Sequence, residues 1–353
     1  MPSTVTLEEI SSPHLPKPVP YAVLAPGTEG PLPLCLLLFG AGGMRESLLD
    51  LQPLLDEWWA NGVVPRMIIA TPGAGFDYYI EDPAGSVHWD SFLAGDFVPH
   101  IRLQWNAGAF AVLAGISGGG YGALKLAFRY PHLFAAVAAM QPMLEPGLRE
   151  SDVGARNRLH HTAGGPPQLI GPARDAALWE SNNPANRARA NAQQIRDSGL
   201  AIYIETGDRD FLNAHDGTEF LHRVLWDLDV SHEYHLVRGA DHGGPSLSPR
   251  LRAMLAWFGC LWNQVQPATA VEESATVWLE SGMEGKPPAG AATTNAFIQF
   301  LRARFEPIRA QAAHSDPTTD RVFGRLPTPP LLPYTRGATI LGCANLQASN
   351  SAR

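Results

Sequence analysis

FAVLAGISGGGYGALKLAFRYP, residues 110–131, is the stretch whose reading decides the fold. Residues 110–116 form a short apolar run of strand length, and residues 118–129 carry small and apolar side chains at helical spacing until Tyr130-Pro131 stops them. Between the two lies Gly115-Ile116-Ser117-Gly118-Gly119, which fits G-x-S-x-G. A strand that reverses into a helix over so few residues forces the central residue into strained backbone geometry, and flanking glycines avoid collision between strand and helix. Such a turn lifts the Ser117 hydroxyl to the carboxyl edge of the sheet. It also leaves the Gly118 N–H, at the positive end of the helix, free to meet an oxyanion. A glycine-rich packing turn is the plain alternative, since a five-residue pattern also arises by chance.

Outward from this unit the same alternation continues. Strand-length apolar runs occupy residues 19–25, 34–39, 66–70, 134–140, 200–205 and 231–237, and amphipathic stretches occupy residues 46–60, 89–105, 174–180, 185–198, 214–226 and 249–262. The pattern predicts an α/β fold with a mostly parallel central sheet and helices on both faces. Residues 142–183 begin with Gly, Pro and Arg in no clear period and predict an inserted lid. Residues 1–265 are expected to form the catalytic domain. Residues 266–353 are expected to form an extension with one helix, residues 293–312, and an irregular tail.

Composition narrows the function classes. The chain has 353 residues, 45% hydrophobic and 17% charged, which is too apolar for a disordered chain. Lys and Arg number 26 against 34 Asp and Glu, a net charge of −8, so there is no whole-chain footprint for nucleic acid or anionic lipid. No uncharged apolar run is long enough to cross a membrane. Cys35, Cys260 and Cys343 are far apart, form no CxxC and read as reduced thiols. The N-terminal stretch MPSTVTLEEISSPHLPKPVP has acids and prolines where a signal peptide needs a basic start and an apolar core, so a cytoplasmic location is expected.

A serine hydroxyl is a poor nucleophile until a base takes its proton, and that base needs an acid to orient it. Two later loops supply both, in the order Ser, Asp, His. Gly207-Asp208-Arg209-Asp210-Phe211 follows one strand, and Gly239-Ala240-Asp241-His242-Gly243-Gly244 follows the next. Asp210, further into its loop, is the expected orienting acid and Asp208 a turn former. Asp241 is set aside because adjacent side chains in an extended loop diverge. His160 and His161 are sequence neighbours and poor joint ligands, while His215 and His222 share one helical face. No H-E-x-x-H or related pattern occurs, so neither metal nor cofactor is expected. A second oxyanion donor is expected from Phe39-Gly40-Ala41-Gly42-Gly43, at Ala41 or Gly42; a phosphate loop is disfavoured because no G-K-[ST] follows. Phe39, Trp89 and Phe211 are candidate pocket residues. Phe76, Tyr78, Tyr79 and Trp179 are further aromatics for which core packing is the commoner fate.

Taken together, these residues resemble the α/β-hydrolase superfamily, in the putative-esterase branch that holds esterase D (S-formylglutathione hydrolase), feruloyl esterases and mycolyltransferases. The resemblance covers residues 5–262 and is carried by residues 36–43, by Trp89-Asp90-Ser91-Phe92-Leu93 with residues 97–101, by residues 115–122 with Phe128-Arg129-Tyr130-Pro131, and by residues 207–212 with 239–242. It implies Ser117 as nucleophile, His242 as general base and acid, Asp210 as orienting acid, and Ala41 or Gly42 with Gly118 as the oxyanion hole. Branch members often carry His-Gly where this chain has Phe39-Gly40; the donor is a backbone N–H, so Phe39 reshapes the pocket mouth rather than abolishing the hole. The expected activity is hydrolysis of a small-molecule ester or thioester without a cofactor. Acyl transfer to an alcohol and a catalytically silent binding module are the alternatives, and homo-oligomerisation is left open.

Overall fold

The computed structural model describes residues 3–27, 31–75, 77–82, 84–157 and 176–262. Their strands are β1 (Thr4–Ile10), β2 (Val19–Ala25), β3 (Leu32–Leu38), β4 (Ile68–Pro72), β5 (Ala107–Ile116), β6 (Ala136–Met140), β7 (Ala201–Gly207) and β8 (Glu233–Val237). They form one eight-stranded sheet in the order β1-β2-β4-β3-β5-β6-β7-β8. β1 and β2 pair antiparallel, as do β2 and β4, and every later pairing is parallel. This is the α/β-hydrolase fold. β6, Ala-Val-Ala-Ala-Met, is buried along its whole length, as expected of a central strand covered on both faces.

The helices are α1 (Ser47–Ala60), α2 (Trp89–Ser91), α3 (Val98–Gln104), α4 (Gly118–Arg129), α5 (Ala176–Asn182), α6 (Pro184–Ser198), α7 (Ala214–Asp227) and α8 (Leu247–Trp262). Strand order places the site. From β3 the chain crosses outward to β4, then returns to β5 on the other side of β3. The loops after β3 and β5 therefore part in opposite directions and open a crevice at the carboxyl edge, where open α/β sheets bind ligands.

Local chemistry explains the element ends. Asn183 caps α6, its Oδ1 accepting from Ala185 N (2.8 Å) and Asn186 N (3.2 Å), and Gly199 closes that helix at φ +69°. The continuous helix expected over residues 89–105 is instead interrupted by a π-helical turn, Phe92–Phe97, just before Pro99, which has no N–H to donate. β1 has no counterpart among the expected elements. Its residues Thr-Val-Thr-Leu-Glu-Glu-Ile are mostly solvent-facing, and an antiparallel edge strand needs no continuous apolar run.

Part of the expected lid is described. Residues 142–157 hold two 3-10 turns, Glu150–Asp152 and Ala155–Asn157, tied to α7 by Arg156 Nε on Asp216 (3.0 Å) and by Asn157 Nδ2 on Asp216 (3.0 Å). Residues 158–175, with His160 and His161, lie outside the described residues, and so do the extension beyond residue 262 and its expected helix. Of the three cysteines, Cys35 is buried in β3 with a free thiol, and Cys343 lies outside the described residues. No helix of the described residues is long and apolar enough to cross a membrane.

A buried ion cluster anchors α4. Lys125 and Asp90 are wholly buried, with Lys125 Nζ on Asp90 Oδ1 at 2.5 Å. Asp90 Oδ2 also takes Arg129 (3.1 Å) and Arg187 (3.4 Å), and Arg129 bridges to Glu81 (3.1 Å). Burial pulls the Lys125 ammonium below its usual range, and Asp90 opposes that pull. Breaking a buried pair strands a charge in low dielectric, which costs about 3–5 kcal/mol. Asp90→Ala is expected to lower unfolding stability by that amount in urea titration; a change under about 0.5 kcal/mol, the size typical of surface sites, would contradict this view of the cluster.

Candidate active site

Ser117 joins β5 to α4 with φ 57° and ψ −122°, outside both strand and helix geometry. Neighbouring backbone enforces the turn. A β-carbon at Gly115 would run into the Gly119 carbonyl, and one at Gly119 into the Leu38 carbonyl. The Ser117 N–H donates to the Met140 carbonyl of β6 (3.0 Å), and the Ser117 carbonyl accepts from Tyr121 N (3.1 Å) and Met143 N (3.1 Å). The glycine loop after β3 abuts the serine: a β-carbon at Gly40 would stand 2.7 Å from Ser117 Cβ and 3.1 Å from its Oγ.

The loops after β7 and β8 are zipped together. Arg209 N donates to the Ala240 carbonyl (3.0 Å) and Asp208 N to the Val237 carbonyl (3.1 Å). Asp208 Oδ1 accepts from Gly239 N (2.5 Å), so Asp208 shapes the turn. Asp241 Oδ1 accepts from both Phe211 N (2.9 Å) and His242 N (2.7 Å), which occupies its carboxylate with backbone amides. Zipping brings the remaining groups into line. His242 Nδ1 lies 2.6 Å from Asp210 Oδ2, and His242 Nε2 lies 2.9 Å from Ser117 Oγ. Assigned from this network, Nδ1 carries the proton toward Asp210 and Nε2 accepts from the hydroxyl.

Burial pushes the Asp210 carboxyl upward. The His242 hydrogen bond and charge, with the N–H groups of Leu212 and Ala214, more than offset this and hold it below the usual carboxylate range. A carboxylate that stays ionised under these conditions can balance an imidazolium next to it.

The two expected oxyanion loops differ in what they offer. Gly42 does not fit, because its N–H is donated to the Gly75 carbonyl at 2.8 Å. The Ala41 N–H has no acceptor among the described residues, and Gly118 opens α4, where an N–H lacks an intrahelical partner.

Among the candidate pocket aromatics, Phe211 is 67% exposed and stands edge-on to the His242 ring with centroids 6.0 Å apart. Phe39 is half-buried, its carbonyl accepting from Tyr79 Oη at 3.0 Å. Trp89 does not line the site: it is buried in the core, edge-on to Tyr79 (5.3 Å) and Phe92 (5.6 Å). Trp179 is likewise buried, against Val153. Tyr78, at φ 52°, lays its ring where a β-carbon on Gly118 would stand; burial and the Glu145 charge push its phenol up to about 12. Phe76 lies outside the described residues. His222 pairs with His232 (2.8 Å), far along the chain from the serine loop, and burial pulls it down to about 4. Among the described residues no group of three or more His, Cys, Asp and Glu side chains could hold a metal ion.

Three residues near the site carry no sequence signal: Gln141 after β6, Glu205 within β7 and Arg250 in α8. The Gln141 side-chain amide donates to the His242 carbonyl, and Arg250 donates to the Asp241 carbonyl.

Comparison with known proteins bears on the same region. Residues 62–257 match the family described as Putative esterase. A ferulic acid esterase shares the fold at TM-score 0.59 and 20% identity, covering 72% of this chain and 97% of its own. The fluorophosphonate-binding serine hydrolase F of Staphylococcus aureus aligns at TM-score 0.59 and 17% identity, over 73% of this chain and 98% of its own. An S-formylglutathione hydrolase from Agrobacterium tumefaciens aligns at TM-score 0.56 and 16% identity, over 72% and 94%. No match was found among curated proteins.

Gly40→Ala tests the close approach of the glycine loop. Displacing a reacting group by about 1 Å costs roughly 10²-fold in rate, so ester turnover is expected to fall by that order, with the overpacking lowering stability by about 1–3 kcal/mol and the fold retained by circular dichroism. Unchanged turnover in steady-state assays would contradict the contact.

Proposed function

The chain belongs to the Putative esterase family, and from that premise we propose that it cleaves a carboxylic ester or thioester through an acyl-enzyme on Ser117. One observation carries the reading. A hydrogen-bonded chain runs unbroken from Ser117 Oγ through the His242 ring to Asp210, at 2.9 and 2.6 Å, and starts at the residue with the strained backbone.

In this mechanism Ser117 Oγ attacks the carbonyl carbon while its proton passes to His242 Nε2. The carbonyl π electrons move to oxygen, and the N–H groups of Ala41 and Gly118 receive that charge. Asp210 keeps Nδ1–H in place and balances the imidazolium. As the tetrahedral intermediate collapses, the bond to the leaving oxygen or sulfur breaks, and that atom takes the proton from Nε2. Water then repeats the sequence at the acyl carbonyl, releasing the acid and restoring the Ser117 hydroxyl. No step calls on a group from outside the chain other than water.

Phe211, exposed beside the base, is the candidate contact for the alcohol or thiol portion of the substrate. Transfer of the acyl group to an alcohol uses the same first half-reaction and differs only in the second acceptor. Adding alcohols to the assay and measuring acid against ester product separates the two outcomes.

Loss of one member of such a unit lowers kcat by about 10³–10⁶-fold. Ser117→Ala is expected to show a drop in that range on p-nitrophenyl acetate with the fold intact by circular dichroism. Wild-type turnover in that variant would end the proposal.

A further inference from the structure

Two consecutive residues at the end of β6 touch both working groups. The Met140 carbonyl accepts the Ser117 N–H at 3.0 Å, and the side-chain amide of Gln141 donates to the His242 carbonyl. The bridge is extended behind the histidine. The Gln141 backbone N–H donates to the Glu205 carbonyl (2.6 Å). The Glu205 carboxylate holds Arg250 through Nε (3.0 and 3.2 Å) and Nη2 (2.8 Å), and Arg250 Nη1 donates to the Asp241 carbonyl at 2.7 Å. Gln141, Glu205 and Arg250 are all buried.

The His242 backbone needs such a brace. Asp210 and Ser117 tether only the imidazole ring, while the loop carrying it contains Gly239 and Gly244, both at φ +78°, and Gly243. Asp241 Oδ1 holds the His242 N–H at 2.7 Å, but the glycines of the loop loosen the peptide units that carry the two carbonyls around residue 242. The brace acts on the two carbonyls that bracket residue 242, one held by Arg250 and the other by Gln141.

Gln141 is a poor choice for stability alone. It sits at φ +43°, a region that disfavours residues with a side chain, and its Oε1 is buried without a hydrogen-bond partner among the described residues. A strained backbone and an orphaned acceptor, kept together with one satisfied donor, point to the service that donor performs.

We infer that Gln141 is a positioning residue, whose amide fixes the His242 carbonyl and so sets the distance from Nε2 to Ser117 Oγ, with the Glu205–Arg250 pair holding the preceding peptide. This rests on the proposed serine hydrolase reading.

The test compares wild type, Ser117→Ala and Gln141→Met, an unbranched apolar replacement, in steady-state hydrolysis of p-nitrophenyl acetate and in thermal unfolding. Gln141→Met is expected to lower kcat by about 10–100-fold with KM within about three-fold of wild type, because a misplaced base slows chemistry and leaves ground-state binding alone. Its unfolding midpoint is expected to stay close to wild type, since loss of the bond to the His242 carbonyl is offset by removal of the orphaned oxygen. A Gln141→Met enzyme with kcat within about two-fold of wild type overturns the inference, and so does one that is unfolded at the assay temperature, which would make Gln141 a fold residue. If Ser117→Ala equals wild type, the hydrolase reading itself fails; if Ser117→Ala is silent and Gln141→Met is not impaired, only the positioning role fails.

Discussion

The reversal of the chain at Ser117 is the constraint from which the site follows. At φ 57° the side chain can lie on neither the face of β5 nor that of α4, so it projects from the carboxyl edge of the sheet. The conformation is held because Gly115 and Gly119 let β5, α4 and the end of β3 approach to backbone contact. A side chain at either position would part the elements and let the turn relax. The buried pair of Lys125 and Asp90 then ties α4 to the segment around residue 90.

Sheet topology turns one strained residue into a site. Because β3 and β5 through β8 run parallel, the loops that follow them emerge at one edge, and the loop after β3, the serine, the Asp210 loop and the His242 loop share it. Electrostatics then decides which groups remain ionised. Burying Asp210 is unfavourable in isolation, yet an imidazole at 2.6 Å and two backbone amides outweigh that, and its carboxyl stays below its ordinary range. The same accounting assigns Asp208 and Asp241 to backbone amides, where they join the two loops.

How much of this was legible in the sequence depended on how local the signal was. Periodicity located the strands of the parallel sheet, since strands covered on both faces are continuous apolar runs. It passed over β1, whose pairing with β2 demands no such run. G-x-S-x-G and the order of the two later loops pointed to residues that do lie within hydrogen-bond reach, because each sits in a turn following a strand. The sequence locates the oxyanion loop but leaves Ala41 and Gly42 equivalent, because the donation of the Gly42 N–H to the Gly75 carbonyl is made only by the fold. Trp89 reads as a pocket aromatic in one dimension and is a core residue in three. Gln141, Glu205 and Arg250 are far apart along the chain and meet only through the fold, so no motif marks them.

In the proposed mechanism, strain and hydrogen bonding together make the Ser117 hydroxyl reactive. Intact-protein mass spectrometry with peptide mapping, after exposure to a fluorophosphonate probe, measures this directly. The account requires a single adduct, on the peptide containing Ser117, and its loss or severe slowing in His242→Gln. An adduct on a different residue, or equal labelling of Ser117 without the imidazole, would contradict it.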